Sequence, residues 1–200
     1  MRRTLSLFTL LCLTSFVSSP ALCTQEALAP KPAVKLAAPL PAEALLKSAC
    51  KKAKPQDKKA IEKRVFVIFH ASWCGWCKRL EAVLENKEVR KVMETYYNFV
   101  RLDVQESGAK KSLENPGGDR LMEDFGGAKA GLPFYVFLDA KGKKIADSLV
   151  MPKDGNIGYP GSAEEITEFE NLLKKTAPKM TDADRETVIA YLTKNAPKSP

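Results

Sequence analysis

Cys74 and Cys77, in the run Trp73-Cys74-Gly75-Trp76-Cys77-Lys78, are the residues whose type and spacing point to a chemistry. Two sulfurs at this spacing can close a small disulfide ring. The apolar run Val65-Phe66-Val67-Ile68-Phe69 precedes them and an amphipathic stretch follows, so the pair falls where a strand hands over to a helix. A sulfur at a helix N-terminus meets unpaired backbone N–H groups and the positive end of the helix dipole, and both favour the thiolate. The thiolate is the species that attacks disulfides. A reachable Cys74 at that tip would therefore carry thiol–disulfide exchange.

The elements that must position the pair follow from the pattern around it. Ala42 to Lys54 is predicted helical, with Leu45, Leu46, Ala49 and Cys50 on one face and Pro55 as its stop. Val65 to Phe69 reads as a strand buried on both faces. The helix after the cysteines turns Leu80, Val83 and Leu84 inward. Asn86 caps a second helical piece with Val89, Val92, Met93 and Tyr96 inward. Val100 to Val104 is a second strand, and Gln105 to Asp119 a long polar loop. A short helix over Arg120 to Phe125 leads through Gly126 to Gly131 and Pro133 into the strand Phe134 to Leu138. Asp139-Ala140-Lys141-Gly142 reads as a hairpin turn into a strand from Lys144 to about Val150. Ser162-Ala163-Glu164-Glu165 is a capping box for a helix through Phe169, Leu172 and Leu173, stopped by Pro178; Thr181 caps a last helix containing Val188, Ile189 and Leu192. The order is helix, strand, helix, strand, helix, strand, strand, helix, helix. It implies an α/β fold with a central mixed sheet flanked by helices on both faces.

Two hundred residues leave length beyond one such domain. Met1-Arg2-Arg3, the apolar stretch Leu5 to Val17 and the small-residue end Ser18 to Cys23 read as a secretory signal peptide over 1–23. The apolar stretch is shorter than the roughly 20 residues a bilayer span needs, and the mature chain contains no longer one. Residues 24–41, with prolines at 30, 32, 39 and 41, read as a flexible Pro/Ala/Lys-rich tether. The domain then occupies 42–200, with a C-terminal helical extension from about 178. Export to a periplasmic or extracellular space places the cysteines where disulfides persist. Without the leader the chain holds 30 basic and 24 acidic residues. The lysine pairs are scattered and no aromatic residues interleave with them, so a nucleic-acid surface is not expected.

The chain resembles the thioredoxin superfamily, and within it the exported bacterial thioredoxin-like proteins whose site reads WCGWC followed by Lys. The residues that carry the resemblance are Phe69-His70-Ala71-Ser72-Trp73-Cys74-Gly75-Trp76-Cys77-Lys78, Val100-Arg101-Leu102-Asp103-Val104, and Gly131-Leu132-Pro133 before a strand. It runs from about Ala42 to Thr176 and implies a thioredoxin fold with extra N-terminal and C-terminal helices. It also implies roles: Cys74 as attacking thiolate, Cys77 as resolving thiol, and Pro133 as a cis-proline against the pair. Leu132 would offer its backbone to a substrate strand, and Trp73 would shield the site. Gly75 and Trp76 belong to the same substrate-facing turn. The chain departs from the family at three positions. Ile68 stands where many thioredoxins carry a buried acid, Gly75-Trp76 replaces the frequent Gly-Pro, and Arg101 replaces a frequent lysine. The first two changes alter the surroundings that set thiol pKa and redox poise.

Other readings of the same residues are weaker. A disulfide over so short a loop contributes little loop entropy, so a purely structural staple is disfavoured. Structural zinc needs four ligands, whereas the chain has one histidine, His70, and no second CxxC. Covalent haem would need His where Lys78 stands, and copper would have to use Cys74, Cys77 and His70. His70 reads as a packed residue beside the site, Cys50 as a buried thiol, and Gly126, Gly127 and Gly131 as shaping the turn into Pro133. The expectation is an exported thiol–disulfide oxidoreductase acting on protein disulfides or dithiols without metal or organic cofactor. A separate redox partner, membrane-bound, would reset it. The alternative is a thioredoxin-fold binding module with an idle CxxC, whose surface is the loop at 105–119 and the helix at 182–194.

Overall fold

The computed structural model describes residues 38–55, 57 and 60–197. The expected leader over 1–23 and most of the expected tether lie outside the described residues.

Val65 to Phe69 carry no polar side chain, and the strand they form, β1 (Arg64–His70), is covered on both faces. It runs parallel to β2 (Tyr97–Asp103) and antiparallel to β3 (Phe134–Leu138). β4 (Lys144–Asp147) pairs antiparallel with β3, giving the order β2-β1-β3-β4. Side chains alternate across the sheet. Phe66, Ile68, Tyr135 and Phe137 enter one core, with side chains from α2 (Gly75–Glu85), α3 (Lys87–Tyr96), α5 (Ala163–Thr176) and α6 (Asp182–Lys194). Val65, Val67, Phe69, Phe134, Val136 and Leu138 enter the other, with α1 (Ala42–Ala53) and Met122 of α4 (Gly118–Asp124). This is the thioredoxin fold expected of the sequence, with an added helix, α6, at its C-terminal end.

The helix boundaries obey local chemistry. Asn86 Oδ1 accepts from the amides of Glu88 and Val89 at 3.1 and 3.2 Å, so one residue ends α2 and starts α3. Ser162 and Glu165 form the full capping box of α5. Thr181 Oγ1 accepts from the Asp184 amide at 3.1 Å to start α6.

Three elements differ from expectation. β2 starts at Tyr97, directly after α3, instead of at Val100, because its pairing runs the whole length of β1 from Arg64 opposite Tyr97. Tyr97 is buried there with its hydroxyl 2.7 Å from Thr176 Oγ1. The strand expected from Lys144 to about Val150 is broken. Ser148 ends the ladder: its amide donates to the Tyr135 carbonyl and its hydroxyl accepts from the Tyr135 amide. The chain then leaves the sheet as a two-stranded ribbon, β5 (Leu149–Met151) and β6 (Gly155–Asn156). The loop after β2 holds a 3-10 turn, Gly108–Leu113, and α4 begins at Gly118 because Asn115 folds the loop back. Asn115 donates its amide to Asp103 O at 3.0 Å and accepts from the Asp103 amide at 2.8 Å, while Gly118 donates to Asn115 O.

Phe66 stacks on Phe137 at 4.4 Å and also meets Tyr97, Phe99 and Tyr135. Phe66→Ala should cost about 3–5 kcal/mol, read as a fall in the midpoint of urea unfolding.

Candidate active site

β1 delivers the chain to the site, and the turn after it sets where α2 begins. The Cys74 amide donates to Ala71 O at 3.0 Å, which closes the turn. Cys74 is then the N-cap of α2, with extended backbone (φ −78°, ψ 110°). Its sulfur takes the place of a capping oxygen, accepting from the Cys77 amide at 3.1 Å. Cys74 and Cys77 are joined as a disulfide, with their Cα atoms 5.3 Å apart.

A second segment reaches the pair from β3. The Leu132–Pro133 peptide bond is cis. Pro133 is buried, and the Leu132 carbonyl oxygen lies 3.5 Å from Cys74 Sγ. Neither backbone group of Leu132 pairs with another backbone group among the described residues. Its neighbours are fastened instead. Asn156 Nδ2 donates to Gly131 O at 2.6 Å and to Pro133 O at 3.1 Å, and Asn156 Oδ1 accepts from the Gly158 amide. Gly158, at φ +51°, brings its backbone so close that a Cβ there would lie 3.5 Å from Pro133.

The predicted site residues Trp73, Cys74, Gly75, Trp76, Cys77, Leu132 and Pro133 therefore meet in one place. One expectation changes. The disulfide is nearly covered, Cys74 being 4% and Cys77 6% exposed, because Ala71 and Leu132 pack on it. The exposed surface belongs to its neighbours: Trp73 is 56% and Trp76 51% exposed. Gly75 has nothing within 4 Å of where a Cβ would be, so the turn stays open between the two indoles.

Several residues around the pair carried no recognisable signal in the sequence. Trp73 Nε1 donates to Gln105 O at 2.8 Å, and Gln105 holds the left-handed conformation (φ 53°) that presents that carbonyl. Trp76 stacks on Tyr159 at 5.8 Å with the Arg79 guanidinium 5.0 Å from its ring centroid. Glu106, a buried carboxylate, accepts from the Ser72 amide at 2.5 Å and the Ser72 hydroxyl at 2.9 Å; Lys110 also donates to that hydroxyl. Burial alone would raise the Glu106 carboxyl, but the two Ser72 hydrogen bonds, with Lys110 and His70, together hold it below the usual glutamate range. Of these partners only Arg79, three positions along α2 from Trp76, is fixed by sequence spacing; Gln105, Glu106 and Lys110 lie 32, 34 and 38 positions from the residues they touch.

Behind the disulfide, His70 Nε2 lies 3.6 Å from Asp103 Oδ1. Burial raises the Asp103 carboxyl above its ordinary value, Glu106 and Glu81 add to the rise, and His70 opposes it. Arg101 pairs with Glu81 at 3.2 Å and Glu85 at 3.4 Å on α2. Cys50 has no disulfide partner among the described residues and is half-buried, less enclosed than expected; burial, then Asp139, pushes its thiol up. Among the described residues no group of three or more His, Cys, Asp or Glu side chains is arranged to hold a metal ion.

A family model described as thioredoxin-like matches residues 47–140. That stretch is similar to the family, and the fold is thioredoxin-like. The matched stretch runs from within α1 to just past β3 and includes every predicted site residue. Among solved structures, the chain is similar to a disulphide isomerase from Xylella fastidiosa Temecula1 (17% identity, TM-score 0.41, 76% of this chain and 86% of that one). It is also similar to a thioredoxin-fold protein from Helicobacter pylori (19%, 0.41, 74% and 97%) and to a DsbH oxidoreductase (19%, 0.38, 78% and 95%).

The Glu106 network makes a pH-dependent prediction. A carboxyl held below its unfolded value contributes stability that is fully present above about pH 4.3, the ordinary glutamate value. That contribution is lost as pH falls through the lower folded value. Glu106→Gln should therefore lower unfolding free energy by about 1–2 kcal/mol at pH 7. The difference from wild type should disappear in strong acid, as measured by urea unfolding across pH.

Proposed function

We propose that this protein is an exported thiol–disulfide oxidoreductase that exchanges disulfides with protein substrates through Cys74 and Cys77. The observation that carries this reading is the disulfide itself, closed at the first turn of α2 with Cys74 as cap and flanked by the Leu132 carbonyl and two exposed tryptophans. In the reducing direction, the Cys74 thiolate attacks one sulfur of a substrate disulfide, and the other substrate sulfur leaves as a thiolate. Cys77 then attacks Cys74 in the mixed disulfide. The Cys74–Cys77 bond reforms and the first substrate sulfur leaves reduced. The helix N-terminus favours the Cys74 thiolate that starts the cycle. Trp73 and Trp76 supply apolar contact on either side of the turn, and the backbone of Leu132, with no backbone partner among the described residues, suits an extended substrate segment. No metal or organic cofactor enters these steps. A separate redox partner, membrane-bound, resets the pair.

Export is supported by the order of charge, apolar run and small residues over 1–23. No helix among the described residues is long and apolar enough to cross a membrane. A periplasmic or secreted location follows from that reading. N-terminal sequencing of the protein recovered from an exporting host should begin at or shortly after Thr24; recovery with Met1 intact would remove the export proposal.

One observation favours a second reading, a thioredoxin-fold binding module with an idle pair: the near-complete cover over both sulfurs. Turnover separates the two. Wild type should reduce insulin disulfides with a dithiol as electron source, and Cys74→Ser should fall to the uncatalysed background. Cys77→Ser should accumulate a mixed disulfide on Cys74 that non-reducing electrophoresis detects. Equal rates for wild type and Cys74→Ser would establish the binding module instead. The reduction potential of the pair assigns direction: near about −270 mV it donates electrons to substrate, near about −120 mV it oxidises substrate.

A further inference from the structure

Resolution of the mixed disulfide requires Cys77 to lose its proton, and the thiol needs an acceptor. Cys77 faces inward from the first turn of α2, away from bulk water. It lines a small recess together with Ile68, His70, Leu80, Glu81 and Arg101. About 10 Å³ of that recess is open to the centre of a water molecule, which is roughly the room one water needs. The ionisable side chains on the recess differ sharply in what else they do. Arg101 holds no acceptor site for a proton, and its guanidinium is paired with Glu81 and Glu85. Glu81 is committed to Arg101 and half-exposed. His70, at the end of β1, carries an imidazole nitrogen that can accept a proton. Asp103, opposite it on β2, lies 3.6 Å from Nε2 and is placed to neutralise the charge the ring acquires. Glu106 adds a second carboxylate that interacts with the same ring.

We propose that His70, positioned by Asp103, accepts the Cys77 proton across this recess, directly or through one water, during the resolving step. This rests on the exchange reaction proposed above and assigns it a base. The step balances. The Cys77 S–H bond breaks and its proton passes to the imidazole. The Cys77 sulfur bonds to Cys74 while the Cys74–substrate S–S bond breaks, and that electron pair leaves on the substrate sulfur. The substrate is reduced and the Cys74–Cys77 pair is oxidised. In the opposite direction the imidazolium returns the proton to Cys77.

The two attacks can be timed separately. The reduced full chain, with Cys12→Ser, Cys23→Ser and Cys50→Ser, is mixed with one equivalent of dithionitrobenzoic acid, an aromatic disulfide, and chromophore release is followed by stopped flow. The first release depends on concentration and reports attack by Cys74. The second is independent of concentration and reports attack by Cys77. His70→Gln should slow the second phase by at least about tenfold at neutral pH, with the first phase changed less than about twofold. Wild type should lose second-phase rate on acidification, and His70→Gln should lack that inflection. Asp103→Asn should act on the second phase in the same sense and less strongly. An unchanged second phase in His70→Gln overturns the proposal and leaves the exchange reading standing. So does slowing by Glu81→Gln in its place, or equal slowing of both phases in the His70 and Asp103 variants. A wild-type chain that shows no concentration-independent phase overturns the exchange reading and this assignment together.

Discussion

The site depends on one capping contact. A helix begins with backbone N–H groups that have no partner inside the helix, and something must satisfy them. In α2 a sulfur does so: Cys74 Sγ accepts from the Cys77 amide at 3.1 Å. The contact sets the helix start, and hence the direction in which Cys77 faces. It also keeps the capping sulfur at the positive end of the peptide dipoles. The same interaction that makes α2 begin at Gly75 therefore holds the Cys74 sulfur at the helix N-terminus, where the proposed exchange needs it. The rest of the fold serves to hold that end of the helix against the segment leading into β3.

Two fastenings achieve this from opposite sides. On one side the loop after β2 is bound back onto the turn by Glu106 on Ser72 and by Gln105 on the Trp73 indole. That loop is anchored in turn by Asn115 on Asp103, and the Asn115 side chain also reaches Leu40 O at 2.9 Å, just ahead of α1. On the other side Asn156, on the short β6 strand, ties Gly131 and Pro133. The break at Ser148 is what allows this. A strand continuing past Asp147 would have kept residues 149–156 on the sheet edge, away from the proline segment.

Much of this was legible in the sequence because it is local. The CxxC spacing, the uninterrupted apolar run of β1, the Asn86 cap and the Ser162–Glu165 box each involve residues a few positions apart, and each appears where the pattern put it. The Gly-x-Pro before β3 was legible through resemblance alone. What escaped notice was non-local. Glu106 looked like one polar residue in a polar loop, and Asn156 carried no signal. Tyr159 gave no sign that its ring would meet Trp76. The early start of β2 was hidden for the same reason: helix-forming and strand-forming patterns overlap at Tyr96-Tyr97, and only pairing with Arg64 decides between them. Sequence also placed Cys74 at a helix tip without showing how closely Leu132 would cover it.

That cover changes what the tryptophans are for. With the sulfurs 4% and 6% exposed, a substrate of the proposed exchange would meet the indoles first. Large exposed side chains ordinarily lose rotamer freedom when a partner immobilises them, at a cost of about 0.5–1.5 kcal/mol each. Here that freedom is already restricted. Trp73 is pinned by its hydrogen bond to Gln105 O, and Trp76 is held by Tyr159 and the Arg79 guanidinium. Both rings are exposed and fastened at once, so docking on them sacrifices little further entropy. The ground between them, at Gly75, is open: nothing lies within 4 Å of where a Cβ would be. On the exchange reading proposed above, apolar contact on two fixed rings, with access over a glycine, would suit a substrate segment recognised by shape and apolarity.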